Sequence, residues 1–230
     1  MKNYSYQKIL DFAIPKIKEK YSGSPIFIPI AGPDAAGKTT FATKLAEELG
    51  ESVVLRIDNY LINSRDERIT AAIKDGKTGH LLEMHRLYLV FSDINKLRSG
   101  QSINERAYNP KDGNTCETGR KIEPGKYIIV ESGIALTNHF MQLYSLDKFG
   151  IFLQTDRDSR MIFKLMRDFT ERGYDKLYEK YGAEAVRKFV LKNLEDFDKF
   201  VLPTRQNADL VVDIDSNYDI VGMCLNVLKS

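Results

Sequence analysis

The sequence predicts an α/β fold with a mainly parallel sheet, and three observations carry that prediction. Apolar runs of strand length alternate with segments of helical periodicity along the chain. The first apolar run leads into a loop of small residues and then directly into a helix. Acidic residues follow two further runs, at the strand ends where open α/β sheets bind ligands. No repeat, low-complexity tract or linker interrupts the 230 residues, so we expect a single domain over residues 1–230.

The composition is that of a globular chain with little net charge. Hydrophobic residues make up 43% of the sequence, enough for a proper core, and charged residues make up 29%. A total of 34 lysines and arginines against 32 aspartates and glutamates gives a net charge of +2, which argues against a nucleic-acid-binding surface spread over the chain. No apolar run approaches membrane-spanning length, and the charged N-terminal segment is unlike a signal peptide.

Cysteine and histidine are sparse. Cys116 and Cys224 lie far apart, which fits neither a disulfide framework nor a metal-binding motif and predicts a reducing, cytoplasmic environment. The histidines, His80, His85 and His139, do not form a cluster of metal ligands.

The N-terminal segment from Tyr6 to Tyr21 has an apolar stripe at helical spacing. Pro15 is expected to kink or divide this helix. Two roles remain open for the helix: packing on the edge of the core, and offering a surface to a partner. We treat residues 1–22 as an N-terminal helical extension of the domain.

The first strand, Ile26 to Ala31, precedes the loop GPDAAGKT, which matches G-x-x-x-x-G-K-[ST] without a mismatch. Small residues let successive backbone N–H groups surround phosphate oxygens, and the following helix directs the positive end of its dipole at them. Lys38 adds a positive charge near the β- and γ-phosphates of a nucleotide, and the Thr39 hydroxyl is a ligand for Mg²⁺. The nucleotide-binding residues predicted here are Gly32, Asp34, Ala35, Ala36, Gly37, Lys38, Thr39 and Thr40.

One residue of the first strand conflicts with a central position in a sheet. Pro29 has no N–H to donate to a neighbouring strand. The sequence offers no reason for this proline beyond a local edge or bulge.

The second strand runs from Ser52 to Ile57 and ends at Asp58. Because the phosphate loop also follows a strand, both features are expected at the same edge of the sheet, which favours a role for Asp58 in the site. The alternative is an aspartate that caps the following turn. The polar stretch from Leu61 to Gly79 predicts a loop or small insertion, and Leu81 to Ser99 repeats at helical spacing and predicts a helix.

Another acid follows the next strand. Residues 102–123 contain several turn signals and predict a loop or hairpin. The strand Tyr127 to Val130 comes next, and Glu131 follows it at once. A carboxylate at this position in a protein with a phosphate loop predicts a contact with Mg²⁺ or with a water. The alternative is an acid that caps a helix.

The C-terminal third continues the alternation of strands and helices. Phe149 to Leu153 predicts a strand, and Asp156 or Asp158 is expected to cap the helix after it. The remaining segments predict a helix, a strand and a closing helix: Ala183 to Val201, Leu210 to Ile214 and Ile220 to Leu228.

The helix after Asp156 carries a row of positive charges. Arg160, Lys164 and Arg167 are spaced four and three residues apart and therefore share one face, and Arg172 comes just before a glycine. These cations can close over a triphosphate and spread the charge of a transition state. The alternative is a solvated basic face that pairs with nearby aspartates.

Five blocks, in this order, resemble the phosphoribulokinase and uridine kinase family of P-loop kinases, and uridine kinase most closely: GPDAAGKTT, RIDNY, YIIVESGI, TDRDSRMIFKLMRDFTERG and LPTRQNADLVV. The resemblance implies a three-layer P-loop NTPase fold with a mainly five-stranded parallel sheet, helices on both faces and a helical lid over residues 156–182. It implies transfer of the γ-phosphoryl group of ATP, with Mg²⁺, to a hydroxyl of a small molecule. The first acceptor it suggests is a pyrimidine nucleoside, uridine or cytidine, and a homo-oligomer is a further expectation.

The resemblance also assigns roles to residues of this chain. By resemblance, Asp58 orients or deprotonates the accepting hydroxyl. The implied catalytic residues are Asp58, Lys38, Arg167 and Arg172; Arg160, Lys164 and Arg205 bind the nucleotide; Asp58, Tyr60, Tyr108 and Arg120 bind the acceptor; and Thr39 and Glu131 hold the metal.

The phosphate side matches the family more fully than the acceptor side does. Asp58 is followed by only one of the two aromatic residues usual in the family, and the usual pattern of Phe-Asp pairs is not recognisable between Thr78 and Tyr88. The sequence Thr118-Gly119-Arg120 lacks the histidine that the family has there. Other acceptors therefore stay open, namely pantothenate, a sugar phosphate or a nucleoside monophosphate. A nucleotide-gated regulatory protein is the alternative of another class.

Overall fold

The computed structural model describes residues 6–109, 111–144, 147–171 and 174–226, except for the side chains of residues 174, 176 and 177. The helices of this part of the chain are α1 (Tyr6–Glu19), α2 (Lys38–Leu49), α3 (Arg65–Asp75), α4 (Leu87–Arg98), α5 (Asn138–Met141), α6 (Arg157–Glu171) and α7 (Tyr174–Asp196). Its strands are β1 (Ile26–Ala31), β2 (Ser52–Arg56), β3 (Ile103–Tyr108), β4 (Thr115–Ile122), β5 (Tyr127–Glu131), β6 (Ile151–Gln154), β7 (Leu210–Ile214) and β8 (Ile220–Leu225).

The central sheet has six strands in the order β2-β5-β1-β6-β7-β8. The first five are parallel to one another, which confirms the predicted five-stranded parallel sheet. The sixth strand, β8, pairs antiparallel with β7. The predicted hairpin between α4 and β5 is present as the separate two-stranded sheet β3–β4.

Helices cover both faces of this sheet, so the predicted three layers are confirmed. Alternate residues of β1 point to opposite faces. On one face Ile26, Ile28 and Ile30 share a buried cluster with residues of α1 and α2. On the other face Phe27 and Ala31 pack in a second cluster with residues of α4 and α5. The cores therefore lie on either side of the strand that leads into the phosphate loop.

The chain after β7 is a strand and not the predicted helix. Asp215 accepts hydrogen bonds from the backbone N–H groups of Asn217 and Asp219, which closes a tight turn. Tyr218 in that turn has a φ of +66°. The turn reverses the chain and brings Ile220–Leu225 beside β7, where pairing with the sheet edge outweighs the helical spacing of the apolar residues.

Pro29 coincides with a gap in one ladder of the sheet. β1 pairs with β5 through Pro29 without interruption. On its other side, Phe27 donates a hydrogen bond to Asp147 and accepts one from Phe149, and the register with β6 resumes only at Ile30. Because backbone groups alternate sides along a strand, Pro29 faces this same neighbour. Its missing N–H therefore falls where the β1–β6 ladder is interrupted.

The helices differ from their predicted bounds in ways that have local causes. α1 contains Pro15 but is not divided by it. The segment predicted as one helix from Leu81 to Ser99 starts as a 3-10 turn, Leu82–Met84, and α4 begins only at Leu87. α7 consists of two helical parts that meet at Gly182, whose backbone is not helical (φ of +80°), and the second part follows this break, as predicted for the helix that starts at Ala183. No helix of the described residues is both long and apolar enough to cross a membrane.

The stretch from Leu61 to Gly79, predicted as a loop or small insertion, contains α3. The Ser64 hydroxyl accepts a hydrogen bond from the backbone N–H of Glu67 at 3.3 Å, and the Glu67 carboxylate accepts one from the backbone N–H of Ser64 at 2.7 Å. This reciprocal capping box starts the helix, and Gly76 ends it with a left-handed backbone. The S-x-x-E spacing of Ser64 and Glu67 is the sequence signal for the start of this helix. The segment has few apolar residues, so no apolar stripe accompanied that signal.

Ser64→Ala is expected to lower the free energy of unfolding by about 1 kcal/mol, since it leaves an N–H at the start of α3 without its acceptor. Chemical denaturation followed by circular dichroism measures this. Ser99→Ala is the matched control, because the Ser99 hydroxyl only donates to the carbonyl of Asn95 at the end of α4. A loss at Ser64 no larger than the loss at Ser99 would contradict the capping role.

Candidate active site

The phosphate loop has the backbone conformation that its small residues permit. Gly32 has a φ of +142°, and a Cβ at this position would lie 2.3 Å from the carbonyl oxygen of Leu153 in β6. Ala35 also has a positive φ, of +60°, and Gly37 precedes α2 with a φ of +81°. Only glycine fits at position 32, because any side chain there would meet the backbone of β6. The loop therefore passes close to β6 and opens onto the carboxyl edge of the sheet.

A cavity of about 420 Å³ opens over this loop. Its lining includes the predicted residues Asp34, Ala35, Gly37, Lys38, Thr39, Thr40, Asp58, Glu131 and Arg167. Ala36 is fully buried beneath the loop. Lys38 is 8% exposed, and its Nζ donates a hydrogen bond to the carbonyl of Pro33 at 2.7 Å. The residues from Asp34 to Thr40, apart from Ala36, thus form one side of a polar cleft.

Thr39 and Glu131, the predicted metal ligands, are in contact. The Thr39 hydroxyl donates a hydrogen bond to Oε2 of Glu131 at 3.1 Å. Burial raises the pKa of Glu131, against the lowering influence of the Lys38 charge. A hydroxyl and a carboxylate are the oxygen donors that Mg²⁺ takes from proteins when phosphate oxygens and water complete its shell. The described residues contain no group of three or more His, Cys, Asp or Glu side chains that could hold a metal ion. This pair fits Mg²⁺ only together with other oxygen donors.

Two cations of α6 reach over the loop to Asp34. Lys164 Nζ lies 3.1 Å from the Asp34 carboxylate and 2.9 Å from Asp168, and Arg167 Nη2 lies 3.7 Å from Asp34. Burial by itself would raise the pKa of Asp34, but the charges of Lys164 and Arg167 outweigh it and hold the pKa well below its usual value. The two cations share a face of α6, as their spacing predicts, and that face meets the phosphate loop.

The other predicted nucleotide-side cations lie elsewhere or are not described. Arg160 is buried against the Phe197 ring, with Nη2 hydrogen bonded to Asp198 at 2.8 Å, and it does not line the cavity. Its Nε and Nη1 have no hydrogen-bond partner. Arg205 donates to the Gln154 side chain at 2.6 Å, at the end of β6, and lies outside the cavity lining too. Arg172 lies outside the described residues.

A second, smaller cavity of about 90 Å³ adjoins the first, and its lining contains three basic side chains together with the carboxylates of Asp34 and Asp58. Arg65 and Arg68 come from α3 and converge on Tyr108 of β3, donating to its hydroxyl at 2.6 and 3.4 Å. Lys164 also lines this cavity. Asp58 lines both cavities and therefore lies at their junction. Tyr108, predicted on the acceptor side, is in this second cavity.

Two histidines of this region, His80 and His85, are buried. His80 lines the small cavity, and its Nε2 is paired with the Asn193 side chain at 3.3 Å. Burial lowers the pKa of His80. His85 is also buried, and its backbone forms a bridge to Leu61. Burial lowers the pKa of His85 to about 4, against the opposite influence of Asp58. His85 is therefore neutral at pH 7.

Two predicted acceptor-side residues are not brought to either cavity. Tyr60 is 2% exposed, and its hydroxyl donates to Asp93 at 2.9 Å. Burial raises the pKa of Tyr60. Arg120 lies on the exposed face of the β3–β4 hairpin and pairs with Glu105. Both line a separate groove together with Asn59 and Arg106.

The sequence alone did not single out Arg65, Arg68 or Tyr218. The two arginines lie in the polar stretch that was predicted as a loop, and the capping box ahead of them was the signal that they belong to a helix face. Tyr218 lines the larger cavity and stacks on Phe163 of α6, with ring centroids 3.7 Å apart. The helix predicted for the C-terminal segment hid the turn that carries this tyrosine.

Comparison with known proteins identifies one family and several individual proteins that this chain resembles. Residues 27–221 match the family described as Phosphoribulokinase / Uridine kinase family. A phosphoribulokinase of Synechocystis sp. is 29% identical over 191 residues, which are 82% of this chain and 53% of that protein, so the chain spans about half its length. A uridine kinase of Clostridium perfringens is 27% identical over 190 residues, which are 82% of this chain and 86% of that protein.

A solved structure shares the fold over the whole length of both chains. D-glycerate 3-kinase from Cryptococcus neoformans superposes with a TM-score of 0.63 at 13% identity, covering 97% of this chain and 100% of that chain. At this level of identity the likeness concerns the fold alone. It agrees with the central parallel sheet and flanking helices described above.

Proposed function

The chain belongs to the phosphoribulokinase and uridine kinase family, and from this premise we propose that it transfers the γ-phosphoryl group of ATP to a hydroxyl of a small molecule. The observation that supports the proposal most is the position of Asp58. This residue lines both the cavity over the phosphate loop and the adjoining basic cavity. A carboxylate between a phosphate site and an acceptor site is where phosphoryl transfer needs one.

In this proposal each residue acts through position and charge. The backbone N–H groups of the loop and the Lys38 ammonium bind the β- and γ-phosphates. Asp58 accepts the hydrogen bond of the attacking hydroxyl and orients it toward the γ-phosphorus. Lys164 and Arg167 neutralise the charge that builds up on the transferred group, and we assign Arg172 the same role.

The metal ion and the remaining candidate nucleotide contacts complete the nucleotide side of the proposal. Thr39 and Glu131 would hold Mg²⁺, which when bound neutralises phosphate charge. Arg160 and Arg205 are kept as candidate nucleotide contacts, which their present partners, Asp198 and Gln154, do not support. We propose residues 1–230 as one kinase domain, with residues 156–182 as its lid.

The charged residues that line the basic cavity support a proposal on the charge of the acceptor. Arg65 and Arg68 converge beside Lys164 in a small cavity, and guanidinium groups pair well with phosphate or carboxylate because they donate two parallel hydrogen bonds. An acceptor with such a group matches this lining better than an uncharged pyrimidine nucleoside does. We therefore propose an anionic acceptor, such as a sugar phosphate, and keep the nucleoside as the second candidate. Tyr108 completes this subsite, whereas the positions of Tyr60 and Arg120 give no support to acceptor roles.

A screen of paired acceptors tests both statements. ADP release is measured with ATP, Mg²⁺ and paired compounds, one uncharged and one anionic, that both keep a free primary hydroxyl: uridine against uridine 3′-monophosphate, ribulose against ribulose 5-phosphate, and glycerol against glycerate. We expect the anionic member of one pair to give the higher kcat/KM by about tenfold or more. A preference for uridine would restore the nucleoside. ADP binding without turnover of any acceptor would favour a nucleotide-gated regulatory protein.

Arg65→Gln and Arg68→Gln are expected to raise KM for the acceptor by roughly 10- to 100-fold, since each removes a charge-assisted hydrogen bond. KM for ATP should stay near the wild-type value, because neither arginine lines the cavity over the phosphate loop. Steady-state kinetics with each substrate varied in turn separates the two constants. Arg187→Gln on the exposed face of α7, where Arg187 pairs with Glu184, is the matched control. An equal rise in KM for ATP would argue against an acceptor role.

A further inference from the structure

We infer that Tyr6 is a positioning residue for the phosphate loop, acting on the peptide group between Gly37 and Lys38. The inference rests on the proposed nucleotide binding and adds to it a residue from outside the matched family region. That region starts at residue 27, after the end of α1. A helix that precedes the family core therefore reaches into its nucleotide site.

The contact between the two parts is specific. Tyr6 is 1% exposed, and its hydroxyl donates a hydrogen bond to the carbonyl oxygen of Gly37 at 3.2 Å. The same oxygen accepts the first hydrogen bond of α2, from the backbone N–H of Phe41 at 2.9 Å. The Tyr6 ring packs against the Phe41 ring with centroids 5.6 Å apart. One carbonyl thus receives a hydrogen bond from α2 and another from α1.

This arrangement fixes the direction of the opposite end of the peptide group. A trans peptide is planar, so the N–H of Lys38 points away from the carbonyl of Gly37. Both donors hold that carbonyl toward α2, and the N–H of Lys38 is therefore directed back toward the cavity over the loop. Hydrogen bonds to a carbonyl also polarise its peptide group and strengthen donation by the attached N–H. Tyr6 thereby helps to aim and to strengthen one phosphate-binding donor.

The Tyr6 hydroxyl lies very close to the backbone of Gly37. Gly37 has a φ of +81°, and a Cβ there would lie 2.1 Å from the Tyr6 hydroxyl oxygen. The hydroxyl therefore occupies the space that a side chain at position 37 would need. Ile9, Leu10, Ala13 and Ile17 are buried against the core and anchor the helix that carries Tyr6. The hydroxyl is held by a packed helix and not by a loop.

Tyr6→Phe tests the inference, because it removes the hydroxyl and keeps the ring. We expect the Kd for ADP, measured by titration calorimetry, to rise about three- to tenfold, as the loss of one neutral hydrogen bond implies. We also expect the amide proton resonance of Lys38 to move upfield in the NMR spectrum of the free protein, since its peptide is less polarised. ADP is the probe because it binds the loop whatever the acceptor is.

Tyr144→Phe is the matched control. The Tyr144 hydroxyl donates to the carbonyl of Ala135 at 3.1 Å in the buried core and lines neither cavity. This variant should lose thermal stability comparably and leave the Kd for ADP unchanged. An ADP Kd for Tyr6→Phe within twofold of wild type, or no greater than that of Tyr144→Phe, would overturn the inference and leave the proposed function intact. Failure of the wild-type protein to bind ADP would overturn both.

Discussion

Replacing Asp58 with asparagine is expected to lower kcat by about 10³-fold or more while the Kd for ADP changes little. The amide has the size of the carboxyl group but carries no negative charge and does not accept a proton from a hydroxyl. Asp58 lies at the junction of the two cavities and makes no hydrogen bond with the phosphate loop among the described contacts. The effect should therefore fall on the transfer step. Single-turnover kinetics at saturating ATP and acceptor measures it.

The control for this change is Asp66→Asn. Asp66 lies on the exposed face of α3 and pairs with Lys180, away from both cavities. Its substitution should leave kcat near the wild-type value. If Asp58→Asn also retained wild-type kcat, the orienting role of Asp58 would be wrong, although the fold and the nucleotide site would stand.

Lys38→Ala is expected to reduce kcat/KM for ATP by on the order of 10³-fold or more. Unlike Asp58→Asn, it should also weaken ADP binding, since the lysine side chain lines the cavity over the loop and is held beside it by the carbonyl of Pro33. Parallel measurement of turnover and of ADP binding distinguishes the two variants.

Lys96→Ala, at an exposed position on α4, is the matched control for the loss of a lysine charge. It should change neither measurement. Wild-type ADP affinity in Lys38→Ala would count against the loop as the phosphate site. A melting temperature near that of the wild type is needed in each variant, so that loss of function is not loss of fold.

The arrangement of the phosphate loop, Asp58 and Glu131 could be predicted because these residues are close together in the sequence or follow strands. The loop motif is contiguous, and Asp58 and Glu131 each come directly after an apolar run. In a parallel sheet the carboxyl ends of neighbouring strands meet at one edge. The order β2-β5-β1 places Glu131 next to the loop that follows β1, and Asp58 one strand further along the same edge. Local sequence was therefore sufficient to bring them together.

The acceptor side could not be predicted in the same way. The basic cavity is formed by Arg65 of α3, Tyr108 of the β3–β4 hairpin and Asn193 of α7, which are far apart in the sequence. Only the packing of these elements puts their side chains in one place. Likewise, Tyr60 is close to Asp58 in the sequence, but its hydroxyl is buried and donates a hydrogen bond to Asp93. Spacing along the chain gives no information on such tertiary partners.

The ion pairs of Asp34 have a consequence for how a nucleotide is selected. The protein supplies its own anion to Lys164 and Arg167 from within the phosphate loop. In the proposed nucleotide site, an incoming polyphosphate would compete with this internal counter-ion, so its binding would be an exchange of one anion for another. A monovalent anion from the buffer gains little from such an exchange, whereas a chain of phosphates that also engages the loop amides gains more. The Asp34 carboxylate would thus favour the binding of polyphosphates over the binding of simple anions.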